Sequence, residues 1–142
     1  MNKDTYIIGI SCYYHDSAAS LIKNGKIISA VQEERFTRKK HDSSFPNNAI
    51  KYCLTNNSVN LNDIKSVVYY EKPLLTFERL LETYLGCAPR GGRSFIAAMQ
   101  VWLKEKLFLK SQIKKELALI QNQLSENKEN YSTLPELLFS EH

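Results

Sequence analysis

What the sequence lacks narrows the field first. Its three cysteines (Cys12, Cys53 and Cys87) are odd in number, far apart and without a Cys-x-x-Cys pair. That spacing argues against a disulfide framework or zinc knuckle and for a reducing, cytoplasmic setting. No apolar run approaches the roughly 18 residues of a membrane span. The start, Met1-Asn2-Lys3-Asp4, has no basic excess, and His15-Asp16 interrupts what a signal peptide would need as its apolar core. The net charge is a modest +4, with much of the lysine on one late stretch. No broad nucleic-acid footprint results, so neither nucleic acid nor membrane is expected as a partner. Internal repeats and low-complexity tracts are absent. Arg90-Gly91-Gly92-Arg93 lacks the lysine and hydroxyl residue of a phosphate loop, and a helix breaker is the better reading.

What is present reads as an ordinary globular chain. It has 142 residues, 43% hydrophobic and 24% charged, enough for one domain burying roughly 68–70% of its unfolded surface. The organising stretch is Tyr6 to His41. Apolar runs at Tyr6–Ile10, Ala18–Ile22 and Ile27–Val31 are separated by Tyr13-Tyr14-His15-Asp16-Ser17 and by Asn24-Gly25. Asn-Gly between β-prone runs signals a tight hairpin, because a type I′ turn needs positive φ at both central residues. Three antiparallel strands, 6–11, 17–23 and 26–34, are therefore expected.

Phe45-Pro46 opens a helix whose apolar face is Ala49, Ile50, Cys53 and Leu54, ending at Asn56-Asn57. A fourth strand at 66–70, reached through that helix, should join in parallel by a right-handed crossover. The pattern is α/β, a mixed sheet that starts as a three-stranded antiparallel meander. Residues 73–125 change character: a helix over Leu74–Leu85, a break at 89–92, then one long helix from about Ser94 to Leu124. Its stripe is Met99, Leu103, Leu107, Ile113, Leu117, Ile120 and Leu124, opposite a lysine-rich face. This segment is read as an inserted helical hairpin. A hydrophilic linker over 125–130 leads to a fifth strand at 137–140.

The connecting loops carry the chemistry. His15 lies between two strands, where its near-neutral imidazole suits proton transfer; a histidine merely hydrogen-bonded within its own turn is the plainer reading. Asp16 and Ser17 either orient His15 or bind phosphate through the turn's N–H groups. Glu33, Glu34 and Arg35 form structural pairs at the strand end or, in the case of Glu33, contact substrate.

Residues 7–19, IIGISCYYHDSAA, followed by QEERFTRKKHD, FPNNAIKYCL, YLGCAPRGGRSF, WLKEKLFLK and LLFSEH, resemble the N-terminal part of the NodU/CmcH-type O-carbamoyltransferases, in order and over nearly the whole chain. The resemblance implies a partial actin-like, ribonuclease H-like domain related to the tRNA threonylcarbamoyl-transfer proteins. It divides the chain into 1–72 as the start of that domain, 73–125 as an insert, and 126–142 as linker and final strand. It also implies that a further, C-terminal domain makes carbamoyl-adenylate from carbamoyl phosphate and ATP. The N-terminal domain would then move the carbamoyl group to a hydroxyl of a sugar, nodulation-factor or antibiotic-like acceptor.

On this resemblance Lys40 matches a basic residue that would neutralise charge on the carbamoyl oxygen or adenylate phosphate, with Lys39 its competitor. His142 matches the first of two metal-binding histidines, the metal being iron or zinc. Family members run several hundred residues longer, so the chain reads as a fragment, inactive alone, binding neither ATP nor metal tightly and prone to self-association. The other readings are an actin-like ATPase or sugar kinase fragment, which would need a glycine that Tyr14-His15-Asp16-Ser17 lacks, and a non-catalytic interaction module.

Overall fold

The computed structural model describes residues 4–14, 16–70, 73–87, 90, 92–124 and 133–140. Strands β1 (Tyr6–Ser11), β2 (Ala18–Lys23) and β3 (Lys26–Gln32) form the expected meander. In β1 and β2, Ile8 pairs with Leu21 and Ile10 with Ala19, and β2 and β3 run antiparallel in turn. The turn between them has φ 50° at Asn24 and 82° at Gly25, the left-handed pair that makes Asn-Gly suited to a type I′ turn.

After β3 come a one-turn helix α1 (Glu34–Thr37), helix α2 (Asn47–Asn56) and a single 3₁₀ turn at Leu61–Asp63. Strand β4 (Ile64–Tyr69) then lies parallel to β1. Helices α3 (Pro73–Cys87), α4 (Gly92–Leu107) and α5 (Leu109–Leu124) precede β5 (Glu136–Phe139), which is parallel to β4. The sheet order is β3-β2-β1-β4-β5, so the carboxyl ends of β1, β3, β4 and β5 share one edge. The fold is mixed α/β, its meander antiparallel and its later strands parallel.

Side chains alternate across a strand, and the two faces differ accordingly. Ile8, Ile10, Ala19, Leu21, Val67, Tyr69 and Leu137 enter one core with Ala49, Ile50, Cys53 and Leu54 of α2 and Leu109, Ile113, Leu117 and Ile120 of α5. The opposite face presents Gly9, Ser11, Ala18, Ser20 and Ala30 on an open trough of ≈ 740 Å³. A Cβ at Gly9 would sit 2.9 Å from the Ser20 hydroxyl oxygen. Small residues keep that floor low.

The long helix expected over Ser94 to Leu124 is two helices, α4 and α5, parted at Phe108, which is 65% exposed. The buried stripe of α5 steps 109, 113, 117, 120. One turn before Leu109 the stripe meets the charged Glu105 and Lys106, which interrupts the apolar pattern there. The fourth strand starts at Ile64 rather than residue 66, and Pro46 stands just before α2 rather than in its first turn.

Candidate functional site

Two loops meet at the carboxyl end of β1: residues 12–17, between β1 and β2, and residues 38–46, between α1 and α2. Backbone hydrogen bonds join them directly. The Tyr13 N–H donates to the Ser43 carbonyl at 2.7 Å, and the Ser17 N–H to the Asp42 carbonyl at 2.7 Å. The first loop is also fixed from below, because the Tyr69 hydroxyl donates to the Cys12 carbonyl at 2.9 Å. Tyr13, Arg38 and His41 have φ of 72°, 56° and 56°. Left-handed backbone at such residues is uncommon and persists where surrounding contacts over-determine it.

Side chains add to the junction. Asp16 accepts a hydrogen bond from His41 Nδ1 at 2.9 Å. The His41 N–H is bound by Glu34 Oε2 at 3.3 Å. Asp42 Oδ1 accepts from the Ser44 hydroxyl at 2.6 Å and the Ser44 N–H at 3.0 Å. These two bonds to Ser44, helped by the Thr37 hydroxyl and the nearby positive charge of Lys39, hold the Asp42 carboxyl down at about 2.

The residues singled out in the sequence fall into three groups. Asp16, Lys39 and Lys40 lie in the two joined loops, Asp16 half-buried and the lysines exposed. Lys39 is close enough to Asp42 to affect its charge; among the described residues the Lys40 side chain has no hydrogen bond or ion pair. Ser17 and Glu33 are buried, at 1% and 2% exposure. Glu33 accepts from the Asn48 N–H (3.1 Å), the Asn48 side-chain amide (2.7 Å) and the Ala49 N–H (2.8 Å). Its carboxylate therefore caps α2 from a distant part of the chain, satisfying donors that Pro46 cannot. This contact is with the start of α2, not with a neighbour at the strand end. His15 and His142 lie outside the described residues.

The sequence reading passed over His41 and Asp42 as candidates, although both stood inside a quoted motif. A His-Asp pair directly after two lysines was the available signal. Tyr13 was passed over too. Its hydroxyl and that of Ser17 are buried, with no well-formed hydrogen bond among the described residues. Burial, with Cys12 and Glu116 adding to it, pushes the Tyr13 phenol up, and Gln112 offsets part of this. Burial likewise pushes the Cys12 thiol up to about 12, so it stays protonated and inert. Cys12 and Cys53 are both free thiols.

The trough on the open sheet face includes Ser11 and Ala18, the residues flanking the first loop, with Gln32, Arg35, Tyr70 and Ser140 also among its lining. In open α/β sheets, ligands bind beyond the carboxyl ends of the strands, and the joined loops stand at that end. Among the described residues no three His, Cys, Asp or Glu side chains are grouped to hold a metal. No helix among the described residues is long and apolar enough to cross a membrane.

These features define a mixed α/β domain with polar loops at the carboxyl edge of its sheet. The family described as "Carbamoyltransferase N-terminus" matches residues 6–142, and the chain belongs to it. It is 61% identical over 138 residues to the uncharacterized protein sll1178 of Synechocystis sp., a match covering 97% of this chain and 22% of that protein. It is 45% identical over 58 residues to the nodulation protein NolNO of Sinorhizobium fredii, covering 41% of this chain and 8% of that protein. A 19.2 kDa uncharacterized protein of Rhizobium etli is 41% identical over 58 residues, covering 41% of this chain and 34% of that protein. The chain thus spans about a fifth of the length of its Synechocystis relative.

Proposed function

We propose that this chain is the start of the carbamoyl-transfer domain of an O-carbamoyltransferase, built on an actin-like, ribonuclease H-like sheet. The observation that carries the reading is the family match over residues 6–142. The sheet order β3-β2-β1-β4-β5 and the polar loops at its carboxyl edge fit it. The acceptor is a hydroxyl of a sugar, nodulation-factor or antibiotic-like molecule; the partial likeness to a nodulation protein is in keeping with that range. Carbamoyl phosphate and ATP enter through carbamoyl-adenylate made by a separate domain, in the cytoplasm.

In the transfer step the acceptor oxygen attacks the carbamoyl carbon. The bond from that carbon to the adenylate phosphate oxygen breaks, and AMP leaves with the electron pair. The hydroxyl proton passes to a base, for which His15 is the candidate. Lys40 or Lys39 stabilises the charge that develops on the carbamoyl oxygen and the departing phosphate. Asp16 and the turn at Ser17 are the candidates to orient those groups. No step is routed through a metal, since the described donors do not make a site for one. The 142 residues are inactive alone, and exposed Leu85, Ile96 and Val101 support their self-association.

The test separates two half-reactions in a longer polypeptide: these 142 residues joined to the remainder of the Synechocystis relative. His15→Ala and Lys40→Ala should each slow acceptor carbamoylation by about 10²-fold and leave carbamoyl-adenylate formation intact. Unchanged transfer in His15→Ala would remove that residue from the mechanism. Absence of carbamoylation in the parent chimera, with adenylate still formed, would count against the reading itself.

A further inference from the structure

The Asp16–His41 pair goes beyond what the family match supplies. Its partners are 25 residues apart in sequence and belong to the two loops that the backbone already joins at Tyr13–Ser43 and Ser17–Asp42. Both ends of His41 are held: the main-chain N–H by Glu34 and the ring by Asp16. Its backbone is left-handed, at φ 56°, a conformation with a cost for any residue bearing a Cβ. Lys39 and Lys40 stand immediately before it. A carboxylate only accepts, so His41 Nδ1 is the donor in this pair.

We propose that His41 is a positioning residue: its hydrogen bond to Asp16 holds the Lys39-Lys40 segment against the Asp16 turn in one register. The function of that register rests on the carbamoyl-transfer reading, in which Lys39 or Lys40 must meet developing charge within a narrow geometry. An exposed pair of this kind contributes little to global stability. Its effect is local, on where a lysine lies relative to the Asp16 turn, and a misplacement of about 1 Å in a reacting group is enough to cost about 10²-fold in rate. Among the described residues, the charged groups bonded to His41 are Asp16 from the first loop, at the ring, and Glu34 from α1, at the main-chain N–H; Lys39, Lys40 and Asp42 adjoin it in sequence.

Three substitutions isolate the side-chain bond from the backbone. Glycine tolerates φ 56° but has no donor. Asparagine tolerates it and keeps an amide donor. Alanine does neither, so the comparison of His41→Gly with His41→Asn is the informative one. In residues 1–142, amide hydrogen exchange at Tyr13 and Ser17 reads the register directly. Their protection should fall about tenfold or more in His41→Gly and Asp16→Ala and stay near the parent value in His41→Asn, the scale following from loss of a local constraint.

In the chimera, His41→Gly should lower kcat for transfer about 10- to 10²-fold with little change in acceptor KM. His41→Asn should restore most of that rate, and adenylate formation should be unaffected throughout. Parent-like exchange in His41→Gly would overturn the clamp, whether or not the chimera carries out transfer. If His41→Asn kept exchange protection yet was as slow as His41→Gly, with an altered pH profile, the imidazole would be a proton carrier and the positioning role would be wrong. A chimera with no transfer, but with the expected exchange pattern, would overturn the carbamoyl-transfer reading and leave the clamp standing.

Discussion

The sheet with α2 and the segment α3–α4 are built from similar proportions of apolar residues, but their described side chains differ in burial. In the sheet, Ile8, Leu21, Ile50, Leu54 and Val67 are fully enclosed, and the loops are stitched by side chains far apart in sequence. Among the described side chains of α3 and α4, none is buried, and Leu85, Ile96 and Val101 face solvent. Helix α5 belongs with the first group, since four of its residues complete the core under the sheet. An amphipathic sequence is enough to make a helix, but a stable unit needs a second surface to receive its apolar face. The sheet supplies that surface to α2 and α5.

The largest effect should come from removing volume on the enclosed side. Leu21→Ala, at a site with 0% exposure, should lower unfolding free energy by about 2–5 kcal/mol. Val101→Ala, at 57% exposure, should change it by about 0.5 kcal/mol or less. Urea unfolding followed by far-ultraviolet circular dichroism measures both. Equal losses at the two sites would abolish the contrast between the regions.

A smaller loss is expected at Glu33, where a polar group does the work of enclosure. Glu33→Ala would leave the Asn48 and Ala49 N–H groups without their acceptor, a loss of about 1–3 kcal/mol. Glu33→Gln keeps one oxygen acceptor and should lose less. The same urea titration checks the order, and hydrogen exchange at Asn48 and Ala49 shows whether the start of α2 frays first. A substitution of Glu33 that left those two amides protected would mean that something else caps α2.

How much of this was legible in the sequence follows the same division. The meander, its Asn-Gly turn and the buried face of α2 were readable because hydrophobic period, turn chemistry and strand propensity agree within a few residues. The α4–α5 break was missed because Met99, Leu103 and Leu107 look continuous with Ile113 and Leu117 until Leu109 is recognised as the start of a new stripe. At the candidate site, Asp16, Lys39 and Lys40 were singled out for their chemistry, while the joining of their two loops through Tyr13–Ser43 and Ser17–Asp42 had no local signal. His41 was not singled out, because its partner lies 25 residues away and a pairing across that separation has no local period. The cap by Glu33 is long-range in the same sense: the glutamate was noticed, but α2 as the element receiving it had no signal.

The smallest effect is a pH dependence confined to the joined loops. The Asp42 carboxyl is lowered from 3.8 to about 2, first by the Ser44 hydroxyl, then by the Ser44 N–H and the Thr37 hydroxyl. A carboxyl whose folded pKa lies below its unfolded value favours the folded state when ionised. Its contribution is complete above about pH 4 and is lost as pH falls through about 2, because the unfolded chain takes up the proton first. Ser44→Ala removes the hydroxyl donor, so the Asp42 titration should move upward, toward 3.8, and the acid sensitivity should begin at higher pH. Carboxyl chemical shifts from carbon-13 NMR follow Asp42 itself, and exchange at Ser17, whose N–H donates to the Asp42 carbonyl, follows the loop. Protection at Ser17 should weaken on acidification before that of α5 does, and earlier in Ser44→Ala than in the parent. If both amides lost protection together at the same pH in both proteins, Asp42 would be titrating with the whole fold, and the loop junction would have no acid sensitivity of its own.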